Sequence, residues 1–299
     1  MQKPIEWRGD RLILLDQRQL PSAEVYLECM DWQQVADAIR DMVVRGAPAI
    51  GITAAYGFYM GVKAAGGQCD ADTLGNIQRG LMATRPTAVN LGWAVDRMHG
   101  FAIANARVPH RLELLEQLAR QIETEDREMC ARMGRHGAAY LGHLSRVLTH
   151  CNTGSLATGG DGTALAVIRE MHRRSPLAKI FVDETRPYLQ GSRLTAWELQ
   201  REGLPACLIT DSMAGYMMQN GDVQAVVVGA DRIAANGDVA NKIGTYTLAV
   251  LCRHHQIPFM VVAPTSTFDA TCPTGDDIEI EYRPVHELKF VGEYQIAPT

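Results

Sequence analysis

The chain has 299 residues, 46% of them hydrophobic and 21% charged, with a formal net charge of −5; this is enough chain for a substantial core in one large or two medium domains. It contains no basic run that would favour nucleic acid and no apolar stretch approaching a membrane span. The amino terminus MQKPIEWRGDR lacks the apolar core of a secretory signal, so a cytoplasmic protein without nucleic-acid or membrane partners is expected.

In chain order, residues 5–28 hold two short apolar patterns, Leu12–Leu15 and Val25–Leu27, around a proline-containing turn, which predicts a small antiparallel entry. Asp31 opens a helix with Val35, Ile39 and Val43 on one face. RGAPAIG follows, from Arg45 to Gly51. Pro48 suits a helix first turn, Gly46 permits a close approach, and free amides beside Arg45 suit an anion; a helix corner with a solvated arginine is the plainer alternative. A small-residue helix runs from Ala49 to Ala65 and ends at Gly66–Gly67. In TRPTAVNLGWAVDRM, Thr84, Arg85 and Pro86 break one helix, and Asn90 to Ala104 forms the next. Arg45 and Arg85 each stand beside a proline at a helix start, which suggests shared recognition of a negatively charged group.

His110 to Leu144 is long, charged and helical, with Leu112, Leu115, Leu118 and Ile122 as its apolar stripe. Glu113, Glu116, Arg120, Glu123, Glu125, Asp126 and Arg127 read as a solvated face. The expected organisation is a mainly helical domain over 1–110, a linking helical segment over 111–144, and a Rossmann-like α/β catalytic domain over 145–299.

From residue 145 strand and helix alternate. Strands are predicted at Arg146–His150, Lys179–Val182, Ala206–Thr210, Gln224–Gly229 and Phe259–Ala263, and helices at Thr163–Arg174, Ser192–Glu202, Ser212–Asn220 and Ile243–His254. That rhythm means right-handed crossovers and a parallel sheet covered on both faces, an α/β fold. The glycines of HCNTGSLATGGDGTA, from His150, match neither a dinucleotide fingerprint nor a P-loop. Cys151 lies at a strand's carboxyl end, where a thiol can be reactive, though a small buried residue is the alternative. Glu184 and Arg186 form a possible loop-orienting ion pair, Gln190 offers an amide to sugar hydroxyls, Asp211–Ser212 suits a helix cap, and Thr265–Ser266–Thr267 makes a further polar rim. The run Val226–Val228 reads as a strand buried on both faces, and Asp231 just past it sits where open α/β sheets bind ligands. Asn236–Gly237 marks a turn before Asn241 and Lys242.

Seven cysteines, Cys29, Cys69, Cys130, Cys151, Cys207, Cys252 and Cys272, form no CxxC and predict reduced thiols. The nine histidines show no ligand spacing, so no metal site is expected.

RGAPAIG, TRPTAVNL, HCNTG, DETRPYLQGSRLTAWEL and VGADRIAANGDVANKIG, in this order, resemble the methylthioribose-1-phosphate isomerase family, part of a group shared with regulatory subunits of a translation-factor nucleotide exchanger. The resemblance runs from about residue 6 to residue 280, and the pairing of Cys151 with Asp231 points to the isomerase branch. It implies a homodimer and a step of methionine salvage in which 5-methylthioribose 1-phosphate becomes 5-methylthioribulose 1-phosphate, with no cofactor and no metal. Carried over by motif, Arg45, Gly46, Ala47, Arg85, Gln190, Asn241 and Lys242 would bind this phosphorylated pentose, and Cys151 and Asp231 would be catalytic, Asp231 as proton donor.

The anomeric oxygen of such a substrate carries the phosphate, so an acid must protonate the ring oxygen as the ring opens. A carboxyl does so at neutral pH only in an apolar surrounding, expected here from Val226–Ala230. Cys151 would serve as base through an enolate, or stand beside a hydride shift. The tail after Ile280, EYRPVHELKFVGEYQIAPT, lacks the acidic pattern expected after IEIE, and the chain stops where family members continue through an Asn-Pro-Ala-Phe-Asp type segment. The rival activities are isomerisation of 5-deoxyribose 1-phosphate or ribose 1,5-bisphosphate, and a non-catalytic regulatory subunit.

Overall fold

The computed structural model describes residues 3–67, 70–280 and 282–298; Cys69 lies outside them. It divides into two compact units. The helical unit comprises Met1–Ala131, Ser155–Gly162 and Pro264–Asp269, and the sheet unit comprises Arg132–Gly154, Thr163–Ala263 and Ala270–Thr299.

The helical unit begins with three antiparallel strands, β1 (Ile5–Trp7), β2 (Leu12–Leu15) and β3 (Tyr26–Cys29), in the order β1-β2-β3. β1 adds a strand to the two-pattern entry expected from sequence. Helix α1 (Trp32–Arg40) starts where Asp31 accepts the Gln34 N–H at 2.8 Å, the predicted cap. Helices α2 (Ala47–Ala64), α3 (Ala71–Met82) and α4 (Val89–Ala104) complete the core. Pro48 stands in the first turn of α2, as its sequence suggests.

Helix α5 (Arg111–Leu141) is a single element, with residues through Ala131 in the helical unit and the rest in the sheet unit. Its charged side is not simply solvated. Glu116 accepts the Trp7 indole N–H at 2.9 Å and the Tyr59 hydroxyl at 3.2 Å, Glu123 accepts the Tyr56 hydroxyl at 2.7 Å, and buried Asp126 accepts the Gly159 N–H at 2.7 Å. A charge run shows exposure only on average; these carboxylates are drawn inward by donors distant in sequence.

The sheet unit holds five parallel strands: β4 (Arg146–Thr149), β5 (Lys179–Asp183), β6 (Ala206–Ile209), β7 (Ala225–Val228) and β10 (Phe259–Val261). Their order is β10-β7-β4-β5-β6. Each agrees with its predicted strand to within one or two residues. Helices α6 (Ala164–Arg174), α7 (Ala196–Arg201), α8 (Met213–Gln219) and α9 (Thr245–His255) complete the crossovers, and a hairpin of β8 (Arg232–Ala234) and β9 (Val239–Ala240) follows β7. Successive strand residues serve opposite layers: Val147, Ile180, Val182 and Val227 pack in the core that includes α6, and Leu148, Phe181, Val226 and Val228 in the core that includes α8 and α9. All four residues of β7 are fully buried, which is why its sequence is a continuous apolar run. Gly134 and Gly137 of α5 let that helix approach α6, for a Cβ on Gly137 would lie 2.4 Å from Val167.

Candidate active site

The sheet order makes β4 the strand from which the chain winds outward in both directions. It proceeds through β5 and β6 on one side and through β7 and β10 on the other. Ligands of open α/β sheets bind outside the carboxyl ends of the strands that flank such a reversal, here β4 and β7. Cys151 comes two residues after β4 and Asp231 three residues after β7. The strands are direct partners, with Thr149 opposite Val227, so both residues leave the sheet at the same edge on neighbouring strands.

Cys151 is half-buried and left-handed, with φ +63°. Its N–H donates to Thr185 Oγ1 at 2.9 Å, and its carbonyl accepts from Thr195 Oγ1 at 2.5 Å. The Thr185 hydroxyl in turn donates to the Asp183 carbonyl at 3.1 Å. Thr185 itself has φ +65° and Leu189 has φ +59°. Left-handed conformations at non-glycine residues cost on the order of 1–3 kcal/mol each and gather where function over-determines the backbone. The other described free thiols on this chain include Cys29, pushed up to about 11, and Cys130 and Cys252, each pushed up to about 12, all by burial.

Gln190 begins a π-helical turn, Gly191–Thr195, that leads into α7. Gly191 is required there, because a Cβ would come within 1.6 Å of the Asp183 carbonyl oxygen. The turn carries Gln190 inward until only 2% of it is exposed, and both polar atoms of its amide are buried without a hydrogen-bond partner. An unmet buried amide costs about 1–3 kcal/mol, so this side chain is arranged to receive something polar.

The hairpin brings Asn241 and Asp231 together. The Asp231 N–H donates to the Ala240 carbonyl at 2.9 Å, and the predicted Asn236–Gly237 turn closes the far end with Gly237 at φ +89°. Asn241 donates from Nδ2 to Thr245 Oγ1 at 3.0 Å, and Lys242 is half-buried beside it. Asp231 is exposed. The expected apolar wall does not enclose it: β7 ends at Val228 with its valines turned into the two cores, and the chain leaves the sheet at Gly229 before Asp231 is reached.

Three supporting roles escaped the sequence analysis, those of His150, Asp183 and Asp211. His150, 1% exposed, contacts Asp183 Oδ2 through Nδ1 at 2.9 Å and donates from Nε2 to the Ile243 carbonyl at 2.7 Å. Asp211 does not cap α8; it accepts the N–H groups of Thr185 and Arg186 at 2.8 and 2.7 Å and so holds the strained loop. His150, Asp183 and Asp211 offer ligand atoms within 4.8 Å of one another. Both ring nitrogens of His150 and both oxygens of Asp211 are already engaged in hydrogen bonds, which makes the cluster a hydrogen-bond network. The signal for His150 and Asp183 was a polar residue closing an apolar strand, but no pattern showed that they meet. Arg186 donates to the carbonyls of Pro187 and Leu288 at 2.9 and 2.7 Å, not to Glu184 in any described bond.

In the helical unit the two arginine-bearing helix starts are neighbours. A Cβ on Gly51, in the second turn of α2, would stand 2.7 Å from the carbonyl oxygen of Asn90 at the start of α4. Neither helix has a side-chain cap, and the two amino ends lie close together, Arg45 and Gly46 preceding one and Arg85 the other. Gly46 has φ +91° and lies against Ala157, 2.4 Å from where a Cβ would stand, with Ala47 opening the helix. Ser266 and Thr267 are no rim of the parallel sheet; they are buried in the helical unit, where the Asn90 amide donates to Ser266 Oγ at 2.9 Å.

The Initiation factor 2 subunit family matches residues 43–299, past the residue-280 limit read from the motifs and through the tail that looked divergent. The chain is 50% identical to the methylthioribose-1-phosphate isomerase of Geobacter sulfurreducens, over 99% of this chain and 87% of that protein. It is 52% identical to that of Alcanivorax borkumensis, over 98% and 85%. The crystal structure of 5-methylthioribose 1-phosphate isomerase from Pyrococcus horikoshii OT3 is similar with a TM-score of 0.92 at 43% identity, covering all of this chain and 85% of that one. A structure described as the delta subunit of translation initiation factor eIF-2B from A. fulgidus is similar with a TM-score of 0.85 at 42% identity, covering 99% and 87%.

Proposed function

The chain belongs to the Initiation factor 2 subunit family and, within it, to the methylthioribose-1-phosphate isomerases, and from that premise we propose that it converts 5-methylthioribose 1-phosphate into 5-methylthioribulose 1-phosphate, a step of methionine salvage. The observation that carries this is the pairing of β4 with β7, since Cys151 and Asp231 follow the carboxyl ends of these two neighbouring strands.

Asp231 protonates the ring oxygen as its bond to C1 breaks, which the anomeric phosphate otherwise prevents. Because Asp231 is exposed, the bound sugar itself must exclude water from the carboxyl for it to act as an acid at neutral pH. Hydrogen then moves from C2 to C1 with Cys151 at the reacting carbons, as base for an enolate or as neighbour to a hydride shift. Solvent deuterium in the product at C1 identifies the first route, and its absence the second. Arg45, Gly46, Ala47 and Arg85 hold the phosphate through guanidinium groups and helix-start amides, Gln190 takes sugar hydroxyls, and Asn241 and Lys242 complete orientation.

The test is ketose formation followed by NMR with 5-methylthioribose 1-phosphate, 5-deoxyribose 1-phosphate and ribose 1,5-bisphosphate. Preference for either of the last two moves the assignment to a sister activity. Turnover of none of them overturns the enzyme and favours the non-catalytic subunit that the A. fulgidus likeness keeps in view.

We also propose a homodimer. Tyr246 and Val250 lie four residues apart on one face of α9, Tyr246 83% exposed, with Ile243 73% exposed just before the helix, and Met213 and Tyr216 of the adjoining α8 are exposed as well. Tyr246→Arg should turn a dimer into a monomer in sedimentation experiments; a wild-type monomer defeats the proposal.

A further inference from the structure

We propose that His150 and Asp183 form a buried pair sharing one proton, and that this pair positions the Cys151 end of β4 against the Asn241–Lys242 turn; its role in turnover rests on the isomerase function proposed above.

Both side chains are 1% exposed. The Ile243 carbonyl can only accept, so the hydrogen of that 2.7 Å bond resides on His150 Nε2. The 2.9 Å contact between Nδ1 and Asp183 Oδ2 must hold a second proton, for otherwise a ring lone pair would face a carboxylate. The surroundings place that proton on the carboxyl. Asp183 Oδ1 is buried with no hydrogen-bond partner, a position that tolerates a neutral acid far better than half of a carboxylate. Burial pushes the Asp183 carboxyl upward in pKa, and the nearby carboxylates of Asp211 and Glu184 push the same way, against the opposing pull of His150. The result is an uncharged relay: the Asp183 hydroxyl donates to Nδ1, and Nε2–H donates to the carbonyl of Ile243.

This relay ties three chain segments that carry the proposed site. His150 immediately precedes Cys151, Asp183 ends β5 and starts the loop to Gln190, and Ile243 immediately follows Lys242. There is no slack where the turn meets the ring. Gly244 has φ +103°, and a Cβ there would come within 2.8 Å of His150 Cε1. Any displacement of the imidazole therefore moves the backbone beside Cys151 and the backbone beside Lys242 together. Neither His150 nor Asp183 needs to touch substrate for this to govern the rate.

The experiment compares Asp183→Asn, whose amide N–H can still donate to Nδ1, with Asp183→Leu and Asp183→Ala, which cannot. All are assayed well below their melting temperatures, and nitrogen-15 histidine spectra are recorded on the whole chain, with His150→Gln identifying the resonances. Asp183→Asn should stay within about fivefold of wild-type kcat/KM, and the two non-donating variants should fall by about a hundredfold, the scale of a 1 Å misplacement of reacting groups. In the wild type, the spectra at neutral pH should show a proton on Nε2 of His150 and none on Nδ1. If Asp183→Leu fails to fold, Asp183→Ala carries the kinetic arm. Equal kcat/KM for Asn and for the non-donating variants overturns the positioning role, and a ring carrying protons on both nitrogens overturns the uncharged relay. The spectra do not depend on turnover, so a wild type that isomerises no sugar while showing the expected ring state defeats the isomerase and not the pair.

Discussion

At the carboxyl edge of the parallel sheet, left-handed backbones and a wholly unbonded amide gather in one loop; along α5 in the helical unit, inward-facing carboxylates are met by donors. Cys151, Thr185 and Leu189 hold left-handed backbones, and Gln190 keeps its whole amide dry and unbonded. Glu116, Glu123 and Asp126, by contrast, each accept a hydrogen bond from a residue far away in sequence. The carboxylates of α5 are satisfied, whereas the amide of Gln190 leaves its cost standing. An unrelieved cost of that kind is what a ligand-binding region is expected to carry, whereas a satisfied one is ordinary architecture.

Four substitutions can break or sharpen that contrast. The largest effect is expected from Asp231→Asn, which removes the proposed acid at the sheet edge. It should lower kcat by about 10³-fold or more, within the range of general acid catalysis or above it, with an unchanged circular dichroism spectrum. Retained turnover in the NMR assay would reassign the acid. Thr185→Val comes next. It keeps the shape of the side chain but removes the hydroxyl that links the Cys151 N–H to the Asp183 carbonyl. A loss of roughly ten- to a hundredfold in kcat is expected, recovered in Thr185→Ser, because a misaligned reacting group costs on that scale.

Gln190→Met sharpens the comparison most directly, since it should improve one property while harming another. Removing two buried, unbonded polar atoms should raise the melting temperature by roughly 2–6 °C. The lost hydroxyl contacts should raise KM about tenfold. A lower melting temperature would mean that the amide is satisfied after all. Asp126→Asn, in the helical unit, should be the mildest. Burial raises the Asp126 carboxyl above its ordinary value, so folding favours its protonated form. That contribution is fully present below the unfolded pKa of about 3.9 and is lost as pH rises through the higher folded value. The substitution should remove this slope, leaving a variant whose melting temperature, relative to wild type, improves from acid towards neutral pH. Its kcat/KM should be unaltered; a kinetic defect would bring the helical interior into the functional class.

The fold was legible where one physical signal dominated. Val226–Val228 must be buried on both faces, so its strand could be read directly, and so could the turn at Asn236–Gly237 and α9, though not the two short strands that the turn joins. Alternation of apolar runs and amphipathic segments likewise located all five parallel strands. Arg45, Arg85, Cys151, Gln190, Asp231, Asn241 and Lys242 stand out in the sequence as candidates, because glycines, prolines and strand ends punctuate it at those points.

What the sequence could not decide was which polar group meets which. The shielding expected around Asp231 was assigned to neighbours in the chain, yet those valines face the cores. Asp211 looked like a cap because a serine and a helix follow it, yet its oxygens hold the loop after β5. His150 and Asp183 are 33 positions apart and meet only because β4 pairs with β5. Periodicity reports the environment of a residue along one element; the partner of a polar atom is set by the order of strands in the sheet, and tertiary structure alone fixes that order.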